Sequence, residues 1–219
     1  MKKWYEYQLS QISEHNCWQN HEYAPIKNIF NEMKKDFDFL KKKYHALCKE
    51  NDPKLIRGGP LVGSNSYIDY IKNHYDDPIV KDNANAWCTD PQFKNLLTLP
   101  SIDQLDITIH YPVIAKRLCT LLDRDFDFCR VNLQVQPPGY VSPLHIDAMI
   151  KRPQDLGRLF ILLDDWAMGQ VFQMGDKFIK WRAGDVFTWE LRDVPHALAN
   201  IGYYHRFAIL LFFGVPACK

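Results

Sequence analysis

Nothing in this sequence approaches the ~20 consecutive apolar residues that cross a bilayer. The N-terminal Met-Lys-Lys-Trp-Tyr-Glu-Tyr-Gln opens with positive charge, but polar residues follow where a secretion signal would carry an apolar run, so no leader is expected. Charge of one sign is lacking too. Lysine and arginine together number 27 against 26 aspartates and glutamates, and a net charge of +1 supplies no global field for nucleic acid or an anionic membrane surface. A small molecule or a peptide suits that balance better. The six cysteines (Cys17, Cys48, Cys88, Cys119, Cys129 and Cys218) are scattered with no CxxC pair to suggest zinc or redox chemistry. They are expected to be free thiols in a reducing cytoplasm. Internal repeats and low-complexity linkers are absent as well.

What is present is the composition of an ordinary globular chain, 47% hydrophobic and 24% charged, and 219 residues suit a single domain. From Pro25 the apolar residues Ile26, Ile29, Phe30, Met33, Phe37, Leu40, Tyr44 and Leu47 recur at three- and four-residue steps. This spacing predicts an amphipathic helix stopped by Asn51-Asp52-Pro53. The lysines on its other side are interleaved with Glu32, Asp36 and Asp38, as on a solvated face. A second helix is expected from about Ser64, carrying Tyr67, Ile68 and Ile71, and a third over roughly Pro112 to Leu122. After Phe128 the period changes from helical to alternating, with Val131, Leu133 and Val135 set between Asn132, Gln134 and Gln136. About eight short strands follow, separated by turns such as Met174-Gly175-Asp176 and Ala183-Gly184-Asp185. The fold class expected is mainly β with N-terminal helices (α+β). Residues 1–127 form a mostly helical buttress, and 128–215 a double-sheet jelly roll.

His145-Ile146-Asp147 carries the first chemical signal. Residues at i and i+2 on a strand project from one face and can converge on one ion. Spacing alone is weak evidence, since this composition yields roughly 0.7 such triplets by chance, and His74-Tyr75-Asp76 in the helical half is a decoy of that kind. His196 opens a later strand and supplies a second imidazole. Two histidines and a carboxylate on one face of an octahedron are the donor set of non-haem Fe(II) oxygenases. His205 is a rival third ligand, but it precedes Arg206 on a strand and should face the other way. Arg206 is itself informative. Phe207 to Phe213 is almost wholly apolar, as in a strand covered on both faces, so a charge at its mouth requires an anionic partner. A guanidinium fork suits a carboxylate such as the distal one of 2-oxoglutarate. Trp166, Trp181 and Trp189 are candidate core or barrel-lining residues.

HxD, then a distal histidine, then arginine ten residues later resembles the 2-oxoglutarate/Fe(II)-dependent oxygenases over approximately Cys129 to Gly214, which implies a double-stranded β-helix (jelly-roll, cupin-like) core over 128–215. His196-Ala-Leu-Ala-Asn200-Ile-Gly202-Tyr-Tyr-His-Arg206 is most similar to the aspartyl/asparaginyl β-hydroxylase branch. The resemblance implies Fe(II) held by His145, Asp147 and His196, 2-oxoglutarate held by Arg206, and O2 as oxidant. Hydroxylation of a peptide side chain or small metabolite would accompany formation of succinate and CO2. It also implies Arg158 as a second carboxylate contact. Two departures stand out. Position 212 is Phe212 where the nucleic-acid demethylases carry a further arginine, so nucleic acid is disfavoured. Ala208 stands where other branches have serine, so that anchor would pass to Asn132 or Gln134, whose alternation equally fits a solvated strand face. The rival reading is a cupin-like metal-dependent dioxygenase or isomerase without 2-oxoglutarate, or a barrel that only binds. Arg206 discriminates, because a simple cupin has no need of it.

Overall fold

The computed structural model describes residues 23–58, 102–145, 157–188 and 194–214, with backbone alone for residues 57, 58 and 143–145. The helix expected after Ser64, the decoy His74 and Asp76, Asp147, Trp189, Cys17, Cys88 and Cys218 lie outside the described residues.

The first helix, α1 (Phe30–Glu50), buries Met33, Phe37, Leu40, Tyr44 and Leu47, alternating steps of four and three that make one stripe. Asn28 Oδ1 accepts from the Phe30 amide at its start. It ends on Asn51 in the left-handed region at φ 51°, a conformation asparagine tolerates, so the helix stops before Pro53 as expected. Two more helices, α2 (Ile107–His110) and α3 (Pro112–Leu121), follow later, the latter opening on proline at its first turn. No helix among the described residues is long and apolar enough to cross a membrane.

Eleven described strands form two antiparallel sheets. They are β1 (Lys27–Asn28), β2 (Ile56–Gly58), β3 (Ile102–Asp106), β4 (Cys129–Gln136), β5 (Tyr140–His145) and β6 (Gly157–Leu162), then β7 (Gln170–Met174), β8 (Lys177–Phe178), β9 (Asp185–Thr188), β10 (His196–Asn200) and β11 (Arg206–Phe213). The larger sheet has the order β1-β9-β6-β11-β4-β3-β2 and the smaller β5-β10-β7-β8. From β4 to β11 the chain winds back and forth between four strands of each sheet, which is a jelly-roll barrel of the cupin-like kind.

The larger sheet is covered on both faces. Val131, Leu133, Val135, Phe207, Ile209 and Leu211 pack with α1 and α3, while Phe160, Leu162, Ala208 and Leu210 pack inside the barrel with Phe172 and Met174 of the smaller sheet. This double burial explains why β11 reads as one apolar run. It also settles the alternation in β4, whose register with β11 sets Asn132 against Leu210, Gln134 against Ala208 and Gln136 against Arg206. The polar row lines the barrel interior rather than solvent.

Part of the expected helical half is sheet. β3 pairs with β4, β2 with β3, and β1 with β9, so three strands from before residue 128 extend the larger sheet. Ile102 and Leu105, the buried residues of β3, stand three apart and hide the alternation that a strand normally shows. Pairing with β4 decides the conformation.

Candidate functional site

β5 and β10 are neighbours in the smaller sheet, and their register sets His145 opposite His196. Regular pairing would not do so. Ser142 opposes Leu198, so an unbroken ladder would carry Leu144 to His196, but the register shifts by one residue between these pairs. This β-bulge inserts one extra residue into β5 and brings His145 into the row that holds Tyr140 and Ser142. Directly opposed residues on one face have Cβ atoms about 4.5–5.5 Å apart.

His196 is buried, and its Nδ1 lies 3.1 Å from the Val194 carbonyl oxygen. A carbonyl only accepts, so Nδ1 carries the proton in this contact, and in the neutral ring Nε2 is then the nitrogen able to ligate a metal. Asp147 falls two positions beyond β5, outside the described residues. Among the described residues no three His, Cys, Asp or Glu side chains are grouped to hold a metal, and that set contains neither Asp147 nor the His145 side chain.

Arg206 stands at the opposite end of the barrel. Only 2% exposed, it faces the interior, where Nη1 donates to the Val171 carbonyl at 3.1 Å while Nε and Nη2 are buried without a partner. Its guanidinium carbon lies 5.4 Å from the Trp181 ring centre and 5.9 Å from that of Phe160. Burial pushes its pKa down to about 9, against which the neighbouring Tyr140 acts weakly. The Tyr140 phenol is in turn raised by burial, opposed by a hydrogen bond with Ser142 and by the Arg206 charge. Val171 pairs with Ala199, three residues along β10 from His196. At the rise of a strand that is about 10 Å of barrel between the histidine row and the guanidinium.

The remaining expected contacts divide between the two ends. Arg158 in β6 opposes Phe212, six residues along β11 from Arg206, or about 20 Å by strand rise, and so lies toward the histidine end. The two arginines are therefore not two arms on one carboxylate. Burial also pushes the Arg158 pKa down to about 9. Asn132 is buried and Gln134 half-buried, both on the inner face. His205 points to the helix side, with its ring centre 5.8 Å from that of Tyr44 and 5.9 Å from that of His45. Trp181 is core, and the half-buried Trp166 donates Nε1–H to the Gln170 carbonyl.

Two site features have no counterpart among the sequence expectations. Gln136 is 1% exposed, cross-strand to Arg206, and both its amide atoms are buried without a partner. Tyr140 joins it on the inner face. Alternation in β4 was the available signal, but it does not say which face lines the barrel. The Asn200 and Gly202 spacing acquires a physical reason. Asn200 Nδ2 donates to the carbonyls of Gln136 and Tyr204, each at 2.8 Å, tying the end of β4 to the turn before Arg206. A Cβ at Gly202 would lie 2.7 Å from the Met168 carbonyl oxygen, so the two loops meet only over glycine.

No family model matches the chain, and no curated protein matches it by sequence. Its fold is similar to solved structures from the cupin superfamily. One is a sugar phosphate isomerase from Silicibacter pomeroyi, with 13% identity over 52% of this chain and 60% of that one and a TM-score of 0.34. Another is the Cnp3 cupin domain of Schizosaccharomyces pombe, with 12% identity over 51% and 64% of the two chains and a TM-score of 0.32. A third is a predicted oxalate decarboxylase from Thermotoga maritima, with 14% identity over 52% and 80% and a TM-score of 0.33. None of these three is a 2-oxoglutarate oxygenase, and likeness at this level concerns the barrel, not its activity.

Proposed function

We propose that this chain is a non-haem Fe(II), 2-oxoglutarate-dependent oxygenase that hydroxylates a peptide side chain or a small metabolite. The observation that carries the reading is Arg206. A guanidinium buried inside a barrel with Nε and Nη2 unpaired costs about 1–3 kcal/mol for each unmet donor. Those two donors are the parallel pair that receives a carboxylate bidentately. The histidine row lies about 10 Å away along β10, a span suited to a five-carbon dicarboxylate chelated at one end and gripped at the other.

The donor set fits iron. His196 offers Nε2 from a tautomer fixed by Val194, His145 is its cross-strand neighbour through the bulge, and Asp147 follows at i+2. Bound iron would supply the oxidising chemistry that converts 2-oxoglutarate and O2 to succinate and CO2 as the substrate is hydroxylated. The chain's own work is placement. Arg206 orients the cosubstrate along the barrel, and Phe160, Phe172 and Trp181 exclude water from the interior around it.

A second reading is a cupin-like metal-dependent isomerase or decarboxylase that uses no 2-oxoglutarate. Its support is the interior charge at the histidine end, where Arg158 lies cross-strand to Phe212 on the inner face, beside Arg130 whose charge is paired with Asp106 at 2.8 Å. Arg206 would then hold the substrate's own carboxylate. Succinate separates the two readings. Protein supplied with Fe(II), O2 and 2-oxoglutarate should release it above a metal-free control, and Arg206→Ala should suppress it. Metal binding without succinate release would favour the cupin reading.

A further inference from the structure

Gln136 differs from the glutamines of the smaller sheet. Gln170 Oε1 accepts from the Ala167 amide at 3.4 Å, and Gln173 Nε2 donates to the Gly175 carbonyl at 2.9 Å. A glutamine held in a β-barrel for packing normally spends its amide on backbone in this way. Gln136 is more deeply buried than Gln173 and spends neither amide atom. Its backbone, by contrast, is fixed at both sides. Its carbonyl accepts from Asn200 Nδ2 at 2.8 Å, and beyond Pro137-Pro138 the Gly139 amide donates to the Asn200 carbonyl at 2.7 Å. The opposing residue across the ladder is Arg206, with its own two unspent donors. A rigidly mounted amide beside a half-satisfied guanidinium is the kind of arrangement that recognises a carboxylate.

Resting on the oxygenase reading, we propose that Gln136 is the second anchor of the carboxylate held by Arg206. It thereby selects dicarboxylic over monocarboxylic 2-oxo acids. A carboxylate offers about four lone-pair sites, and Arg206 Nε, Arg206 Nη2 and Gln136 Nε2 fill three without adding a second buried charge. Asn132 and Gln134 occupy the same inner row but lie four and two residues from Gln136, toward the histidine end. Their positions put them alongside the body of the ligand instead of its far carboxylate.

Calorimetric titration of the protein loaded with redox-inert Mn(II) tests this, with 2-oxoglutarate and 2-oxobutyrate as ligands. Gln136→Met keeps the volume and deletes the amide. It should weaken 2-oxoglutarate about tenfold or more, the loss expected for a hydrogen bond to a charged group, and leave 2-oxobutyrate unchanged. Gln136→Glu should satisfy Arg206 internally, abolishing 2-oxoglutarate binding while raising the Tm of the ligand-free protein. A merely structural glutamine would instead lower Tm in both variants and weaken the two acids alike, which would overturn the assignment. Full 2-oxoglutarate affinity in Gln136→Met would reject Gln136 alone. Wild-type protein that binds neither acid would reject the oxygenase reading and this inference with it.

Discussion

At the residue scale, the site turns on one side chain whose environment contradicts its charge. Arg206 is buried among Phe160 and Trp181 with a single hydrogen bond to backbone. Removing an uncompensated buried charge relieves desolvation, so Arg206→Met should leave the Tm of the ligand-free protein unchanged or higher. In the same variant, 2-oxoglutarate should lose its ability to raise Tm, as differential scanning fluorimetry would show. A drop in ligand-free Tm of several degrees would mean that the guanidinium is already satisfied. The sequence exposed the need for a partner, because a cation heading an apolar strand is anomalous in any fold. It did not expose Gln136, because alternation in β4 gives the period of the face and not its destination. Only the pairing of β4 with β11 turns that face toward the barrel interior.

At the element scale, the strands after residue 128 were legible because turns and alternation agree. The bulge in β5 was not, since it is a property of pairing with β10. Two connections make testable claims. Gly202→Ala would drive a Cβ against the Met168 carbonyl and should cost about 1–3 kcal/mol, read as a fall of about 2–4 °C in Tm per kcal/mol. The contact between α1 and the start of β11 should depend on pH. Burial lowers the His205 pKa from its ordinary value, His45 lowers it further, and Asp103 opposes both. A base with a depressed folded pKa binds fewer protons folded than unfolded, so its contribution is complete above about pH 6.5 and is lost as pH falls toward the folded pKa. Thermal unfolding between pH 7.5 and 5 should show wild-type Tm falling more steeply than that of His205→Phe. Parallel curves would contradict the assignment.

At the scale of the molecule, the N-terminal half expected to be mostly helical also contributes strands. β1, β2 and β3 widen the larger sheet, while α1 and α3 cover its outer face. Local pattern could not reveal this. Ile102 and Leu105 lack a strand period, and their partner β4 lies more than twenty residues away. The barrel was readable for the opposite reason, since its strands carry local signals of their own, alternation in β4 and an unbroken apolar run in β11. The central claim is that His145, His196 and Arg206 serve one ligand and one metal across this barrel. Anaerobic titration of 2-oxoglutarate into the Fe(II)-loaded protein tests it most directly, through the visible charge-transfer band of a metal-chelated keto acid. The band should form in the wild type and in His74→Ala with Asp76→Ala, and be absent in His145→Ala and His196→Ala. In Arg206→Ala it should require at least tenfold more 2-oxoglutarate. A band that survives loss of His196, or a wild type that forms none, would contradict the account.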